Sequence, residues 1–432
     1  MLDRSLQPPV SPFTNVKLDF PQQTTLSNGV PLQVINQGDD PVNRVAVYVR
    51  GGILDEPKPM IAMMTGTVAL EGSKSHTSAE IAQTLDFNGA WKAVQSYDDW
   101  TELSLWSLNY NYETNLRLLA QCILQPTFMP DDLDLLQRRY AGTYAASHRR
   151  VKYLAALELR RLYYGQTHPL AIDITPDDIL SITSEELRSF YLRYYLTSHM
   201  RVILAGKITD RELAVTDDVL GHIDIPGRSL PYYDWSTFEA PASGTVKVVE
   251  RPEAVQSAIA IALPAVPRRH PHYFKLRVLI TVLGGYFGSR LMSNIREEKG
   301  YTYGISAVLA GREHCSYIGI STECMTQYTW AVVDEIKAEM SRLREQLVPA
   351  DELDTVRKYM ISDLVKTLDT PFSVASYVGS TITFGVYPSY YNDQVKAIEQ
   401  VTAADLLEMA RIYLREERML IAVVGNMSGL GR

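Results

Sequence analysis

Apolar positions recur along this chain with two periods. In "NRVAVYVRGG" the residues Val45, Val47 and Val49 alternate with others, and "DWTELSLWSLNY" repeats the pattern at Leu103 and Leu105. A period of two predicts strands with one buried face. "TTLSNGVPLQVIN" sets Asn28-Gly29 between two apolar runs, which predicts a hairpin. A helical period runs through Pro59–Leu70, Ser78–Asn88 and Glu113–Leu124, and then without a break through Asp131–Tyr164. Hairpins mixed with long helices, rather than strict strand–helix alternation, predict an α+β fold with mostly antiparallel sheets.

The pattern occurs twice. "ITSEELRSFYLRYYLTSHMRVILAGKIT" (Ile182–Thr209) aligns without gaps to "VTAADLLEMARIYLREERMLIAVVGNMS" (Val401–Ser428), an offset of 219. Each copy reads as a capped amphipathic helix leading into a buried strand that stops at Gly. His168-Pro169 meets Tyr387-Pro388 at the same offset, and "PDDLDLLQRRY" from Pro130 resembles "PADELDTVRKYM" from Pro349. Agreeing offsets in one order indicate two homologous halves. The expected boundaries are an N-terminal domain over 14–220, a linker over 221–244 rich in Pro and aromatics, and a C-terminal domain over 245–432.

In the second half, "HYFKLRVLITVLGG" reads as an apolar helix stopped by Gly284-Gly285. "RLMSNIREEK" reads as another, closed by Gly300 at a position where positive φ is cheap. "YTYGISAVLAG" then alternates, which places Tyr301, Tyr303 and Ile305 on one strand face. The chain reverses at Gly300, so Arg296 and Tyr303 can point into one cleft. Each also has an ordinary reading: a cation in the last helical turn suits the macrodipole, and tyrosine packs well in sheets.

Length and charge narrow the function. A chain of 432 residues exceeds what one core usually supports. The net charge is −8, and no basic stripe with interleaved aromatics is present, which argues against nucleic-acid binding. The Lys/Arg cluster at Arg138–Lys152 reads as the solvated face of a helix. Three cysteines, Cys122, Cys315 and Cys324, form no disulfide framework or metal knuckle and fit a reducing compartment. "MLDRSLQPPVSPF" lacks the apolar core of a signal peptide, so the expected location is cytoplasmic, or periplasmic if a leader has been removed. The longest apolar run, Ala258–Val266, is too short to span a bilayer.

Several segments together resemble the pitrilysin/insulinase family, the inverzincin metallopeptidases that include mitochondrial processing peptidase. They are "LSNGVPLQVI", "GGILDEP", "LEGSKSHTSAEIAQTLDFNGA", "YYGQTHPL", the helix–strand unit Ile182–Gly206 and "LGGYFGSRLMSNIREEKGYTYGIS". The likeness covers about residues 20–430. Active members carry His-x-x-Glu-His on a helix, with two zinc-binding histidines and a general base, and a further Glu downstream. Spacing from Gly72-Ser73 puts the three motif positions on Met63, Gly66 and Thr67, none of which supplies that chemistry. No Asp or Glu occurs from Leu135 to Leu157, and no two of the histidines form a His-x-x-x-His pair. "GTVALEGSKS" lacks phosphate-loop spacing, with Ser73 where a lysine is required.

The resemblance implies that Arg296 and Tyr303 match an Arg/Tyr pair that meets the peptide beside the zinc, with Gly284 and Gly285 near substrate. It implies no cofactor in this chain and zinc in a sister subunit. The expected function is a non-catalytic, substrate-binding subunit of a heterodimeric zinc metallopeptidase acting on unfolded peptide. The alternative is an inert scaffold of the same descent.

Overall fold

The computed structural model describes residues 17–225, 230, 238–313 and 315–428. Residues 14–16 of the expected first domain, part of the expected linker (226–229 and 231–237), His314 and residues 429–432 of the expected second domain lie outside the described residues.

The strands are β1 (Gln23–Thr25), β2 (Pro31–Asn36), β3 (Val42–Arg50), β4 (Trp91–Ser96), β5 (Trp100–Leu108), β6 (Arg201–Gly206), β7 (Thr245–Glu250), β8 (Gln256–Pro264), β9 (Thr302–Ala310), β10 (Tyr317–Met325) and β11 (Leu420–Gly425). They form two sheets, ordered β1-β2-β6-β3-β5-β4 and β7-β11-β8-β10-β9. Apart from the added hairpin strand β1, the two orders are the same. The pairs β2–β6 and β7–β11 are parallel, and every other pair is antiparallel. The fold is α+β in two homologous halves.

The repeat holds residue by residue. The helices Ser184–Tyr194 and Ala403–Tyr413 and the strands β6 and β11 all start and stop 219 apart. Both helices begin with a capping box: Thr183 accepts from the Glu186 amide, and Thr402 from the Asp405 amide. Each cap satisfies amides that the helix leaves without partners and is worth about 1 kcal/mol.

Alternation divides each strand between two apolar layers. Val45, Val47, Val49, Leu103, Leu105, Val202 and Leu204 face helices of the first half. Ile259, Ile261, Leu263, Ile318, Ile320, Ile421 and Val423 do the same in the second. The opposite faces are covered by exchange. The helix Val151–Tyr164 leaves the first half and lies on Ala258, Ala260, Ala262, Leu420, Ala422 and Val424. The helix Pro371–Thr383 returns the contact, setting Val374, Ala375 and Val378 against Ile35, Ala46, Tyr48, Ile203 and Ala205. Small residues on these strand faces let the foreign helix approach closely. Gly379 is the tightest point, because the Tyr48 hydroxyl occupies the space that a Cβ would need.

The exchange carries polar groups with it. Arg44 and Glu102 form a buried ion pair, and Glu102 also accepts from Tyr48 Oη at 2.9 Å and Tyr97 Oη at 3.1 Å. Arg44 reaches across to Ser376 Oγ at 3.0 Å, on the incoming helix. Tyr163 Oη donates to the Ser316 carbonyl at 2.6 Å, and Asp98 pairs with Arg312 across the halves. Such pairs fix register more than they add stability, since desolvation offsets most of their attraction.

The stretch expected as one helix over Asp131–Tyr164 is two, Pro130–Ser147 and Val151–Tyr164. Arg150 is extended (φ −94°, ψ 122°), and His148 Nε2 meets Asp173 Oδ1 at 2.7 Å. The break redirects the chain onto the second sheet. Because Gly379 sits under Tyr48, Gly379→Ala should cost about 1–3 kcal/mol. The urea midpoint measures it, and an unchanged midpoint would mean that the interface yields freely.

Candidate functional site

The first expected site is the helix Ile61–Ala69, which carries the degenerate motif positions. It forms because the chain enters through Met60 in the left-handed region (φ 73°), and Glu56 caps the turn. The Glu56 carboxylate accepts from Met60 N at 3.1 Å and Ala62 N at 3.0 Å. Desolvation by the surrounding protein pushes this carboxyl up to about 8, although both amides pull the other way.

The residues do not fit a metal. Met63 packs against the first core, and Thr67 Oγ1 is spent on the Met63 carbonyl at 2.8 Å. Gly66 is buried, and a Cβ there would stand 2.7 Å from Val94 Cγ1 on β4 and 3.1 Å from Tyr195 Oη. The absence of a side chain at 66 lets strand and helix close over the place where a general base would project. The helix Pro130–Ser147, where a downstream Glu would be sought, approaches through Tyr140 and Tyr144, and Tyr144 Oη donates to Met60 Sδ at 3.4 Å. Among the described residues no group of three or more His, Cys, Asp or Glu could hold a metal ion.

The second expected pair, Arg296 and Tyr303, lies side by side. The helix Met292–Glu298 is wound as a π-helix and ends at Lys299, and Gly300 (φ 65°) turns the chain into β9. Arg296 sits in the last turn, its guanidinium 4.5 Å from the Phe287 ring centroid and 5.9 Å from that of Tyr303. Tyr303 is 93% exposed, and Phe287 is 63% exposed. A cation over an aromatic face is held by the ring quadrupole, which limits where Arg296 swings.

Tyr303 does not share a face with Ile305, contrary to the alternation. Thr322 pairs with Ile305 but Cys324 pairs with Thr302, so Tyr303 and Gly304 together oppose Glu323 in a β-bulge. Thr302 Oγ1 holds the bulge, bonding Thr322 Oγ1 at 2.8 Å and the Glu323 carbonyl at 2.7 Å. Ile305 turns into the core, and Tyr303 turns out. Tyr301 precedes the strand and stacks on Tyr328 at 4.4 Å. Bulges re-aim single side chains, and this one presents a phenol to solvent beside a guanidinium.

The two glycines separate. Gly284 is buried, and a Cβ there would lie 2.6 Å from Ala307 Cβ on β9, so it seats the helix against the strand. Gly285 is exposed and borders a cavity of about 220 Å³ along β9. A larger cavity, about 490 Å³, opens beside Tyr303 and Gly304 and is bounded by Lys152, Gln256 and Glu323. Lys152 comes from the first half, on the exchanged helix, and spacing within the second half carried no sign of it.

Residues 181–360 match the family model described as the Peptidase M16 inactive domain. An uncharacterized zinc protease of Streptomyces coelicolor is 23% identical over 258 residues, 59% of this chain and 56% of that protein. The non-peptidase homolog YmxG of Helicobacter pylori is 21% identical over 394 residues, 89% of each chain. The crystal structure of a peptidase M16 inactive domain from Pseudomonas fluorescens superposes with a TM-score of 0.83 at 22% identity, covering 94% of this chain and 98% of that one. This last likeness is one of fold.

Over residues 181–360 the chain resembles the M16 peptidase family.

The matched model is that of an inactive domain, and zinc is not expected in this chain. Rewriting the motif should not restore a metal site: Met63→His, Gly66→Glu and Thr67→His together must force Val94 aside. Metal analysis of the triple variant should find well under one zinc per chain, and stoichiometric zinc would overturn the packing argument. Glu56 gives a second test. A carboxyl whose folded pKa lies above its unfolded value contributes fully below about pH 4.5, and that contribution is lost as pH rises to about 8. Urea midpoints of the parent should fall across that window more steeply than those of Glu56→Gln. Equal slopes would remove Glu56 as the cause.

Proposed function

We propose that this chain is the substrate-binding subunit of a two-chain metallopeptidase whose zinc lies in a sister subunit. One observation carries the reading: a bulge on an edge strand holds Tyr303 almost wholly in solvent, with the Arg296 guanidinium beside it. A fold that needed only packing would have no use for a hydroxyl presented this way.

The roles follow from charge. As a peptide carbonyl is attacked, negative charge grows on its oxygen. A phenol O–H and a guanidinium set close together are the donors that such an oxygen takes, and enclosure by a sister chain would strengthen both. Gly285, with no side chain, leaves room for peptide backbone beside β9. The edge strands β4 and β9 offer unpaired backbone to an extended segment. Three free, buried cysteines suit a reducing compartment, and we assign the chain to the cytoplasm. Among the described residues no helix is long and apolar enough to cross a membrane.

Mixing this chain with a sister carrying His-x-x-Glu-His should raise the sister's turnover of an unfolded peptide. Arg296→Ala and Tyr303→Phe should each lower kcat of the mixture by about 10²–10³, with pair formation intact by size-exclusion chromatography. A scaffold role predicts the same pairing with turnover indifferent to either substitution.

A further inference from the structure

The turn between Pro130–Ser147 and Val151–Tyr164 places Arg149, Arg150 and Lys152 together, all three exposed. The fold explains them less well than a solvated helix face would. They cluster at the break, Arg149 and Arg150 before the second helix and Lys152 in its first turn, and among the described residues no ion pair engages them. A fourth cation, Arg251, approaches from the turn after β7, half-buried, its Nη1 3.9 Å from Glu253 Oε1 and its Nε without a hydrogen-bond partner. The four border a cavity of about 480 Å³ together with Glu253 and Glu323. The lining therefore carries a net positive charge in a chain of net charge −8.

This basic cavity shares Lys152, Gln256 and Glu323 with the cavity beside Tyr303. The two form one trough, with the phenol at one end and the arginines at the other. Its basic end is mixed rather than uniformly cationic. Two carboxylates interrupt it, and Val255, 88% exposed, adds an apolar contact. A nucleic acid would bring evenly spaced phosphates onto those carboxylates, and among the described residues no aromatic lines that end. An acidic peptide brings discrete carboxylates with apolar neighbours. Arginine suits bidentate carboxylate recognition, and the guanidiniums outnumber the one lysine here.

We infer that the trough selects peptides bearing acidic residues on one side of the bond held at Tyr303, with Arg149, Arg150, Lys152 and Arg251 reading that acidic flank. The inference rests on the peptide-binding reading above and names the substrate class for it. Carboxylates would dock on exposed cations, so the preference is electrostatic and sensitive to salt.

The test uses the full chain and two fluorescein-labelled extended peptides. They are identical except that a run of glutamates at one end is replaced by glutamines. Fluorescence anisotropy at low ionic strength should show the glutamate peptide binding about tenfold tighter, with the gap closing as salt is added. Arg149→Gln with Arg150→Gln, which border the basic end and not the cavity beside Tyr303, should abolish the preference by weakening the glutamate peptide about tenfold to the level of the glutamine peptide. Tyr303→Phe should keep the preference. Equal binding of the two peptides would overturn the charge selection while leaving peptide binding at Tyr303 standing. No binding of either peptide would remove both. A short single-stranded DNA that outcompetes the glutamate peptide at Arg149 and Arg150 would overturn the assignment to peptide.

Discussion

Each half of this protein is completed by a helix from the other. A sheet apolar on both faces cannot be left with one face in water, and burying such a face is worth about 25 cal/mol per Å². The helices of each half cover one side. The remaining side of the second sheet is closed by Val151–Tyr164, and that of the first by Pro371–Thr383. The exchange also positions polar groups. It brings Lys152 to the trough beside Tyr303, sets Arg44 against Ser376, and fixes the hairpins that join Asp98 to Arg312.

What could be read from the chain was what local chemistry determines. The unit Ile182–Thr209 and its copy were legible because a Thr cap, a helical stripe and a buried strand lie within one short segment. The turn at Gly300 was legible for the same reason. The exchange was not. Ala258, Ala260 and Ala262 alternate with isoleucines and look equally buried whichever helix covers them. The break at Arg150 carries no glycine or proline and is imposed by the sheet that the second helix must reach. The bulge at Tyr303 depends on the register of β9 against β10, which alternation within β9 cannot contain. The pair Arg296 and Tyr303 was found through its surrounding motif, and the bulge is the physical reason that they meet.

The two expected sites are built differently. A metal site needs several side chains converging from separate elements, and one small substitution lets the elements collapse onto each other. Gly66 lies under Val94, with Tyr195 and Thr101 beside it, so the helix and β4 are already closed together there. The Arg296–Tyr303 arrangement hangs on a helix end, a glycine turn and a bulge, and little packs against the phenol. Tyr303 stays exposed, whereas Gly66 is buried and Met63 and Thr67 are partly buried.

The exchanged helices also set the order in which this chain can mature at the ribosome. When residue 225 has emerged, the first sheet has all its strands but lacks the helix that covers Ile35, Ala46, Tyr48, Ile203 and Ala205. That helix is made some 150 residues later (371 after 225). Meanwhile Val151–Tyr164 waits with its own apolar stripe and no sheet to lie on. For that interval the nascent chain presents two greasy surfaces to the cell, and domains that cannot close as they emerge are the ones that lean on holding factors. An architecture of two repeated halves thus behaves, during synthesis, as a single unit that is finished only near its C-terminus.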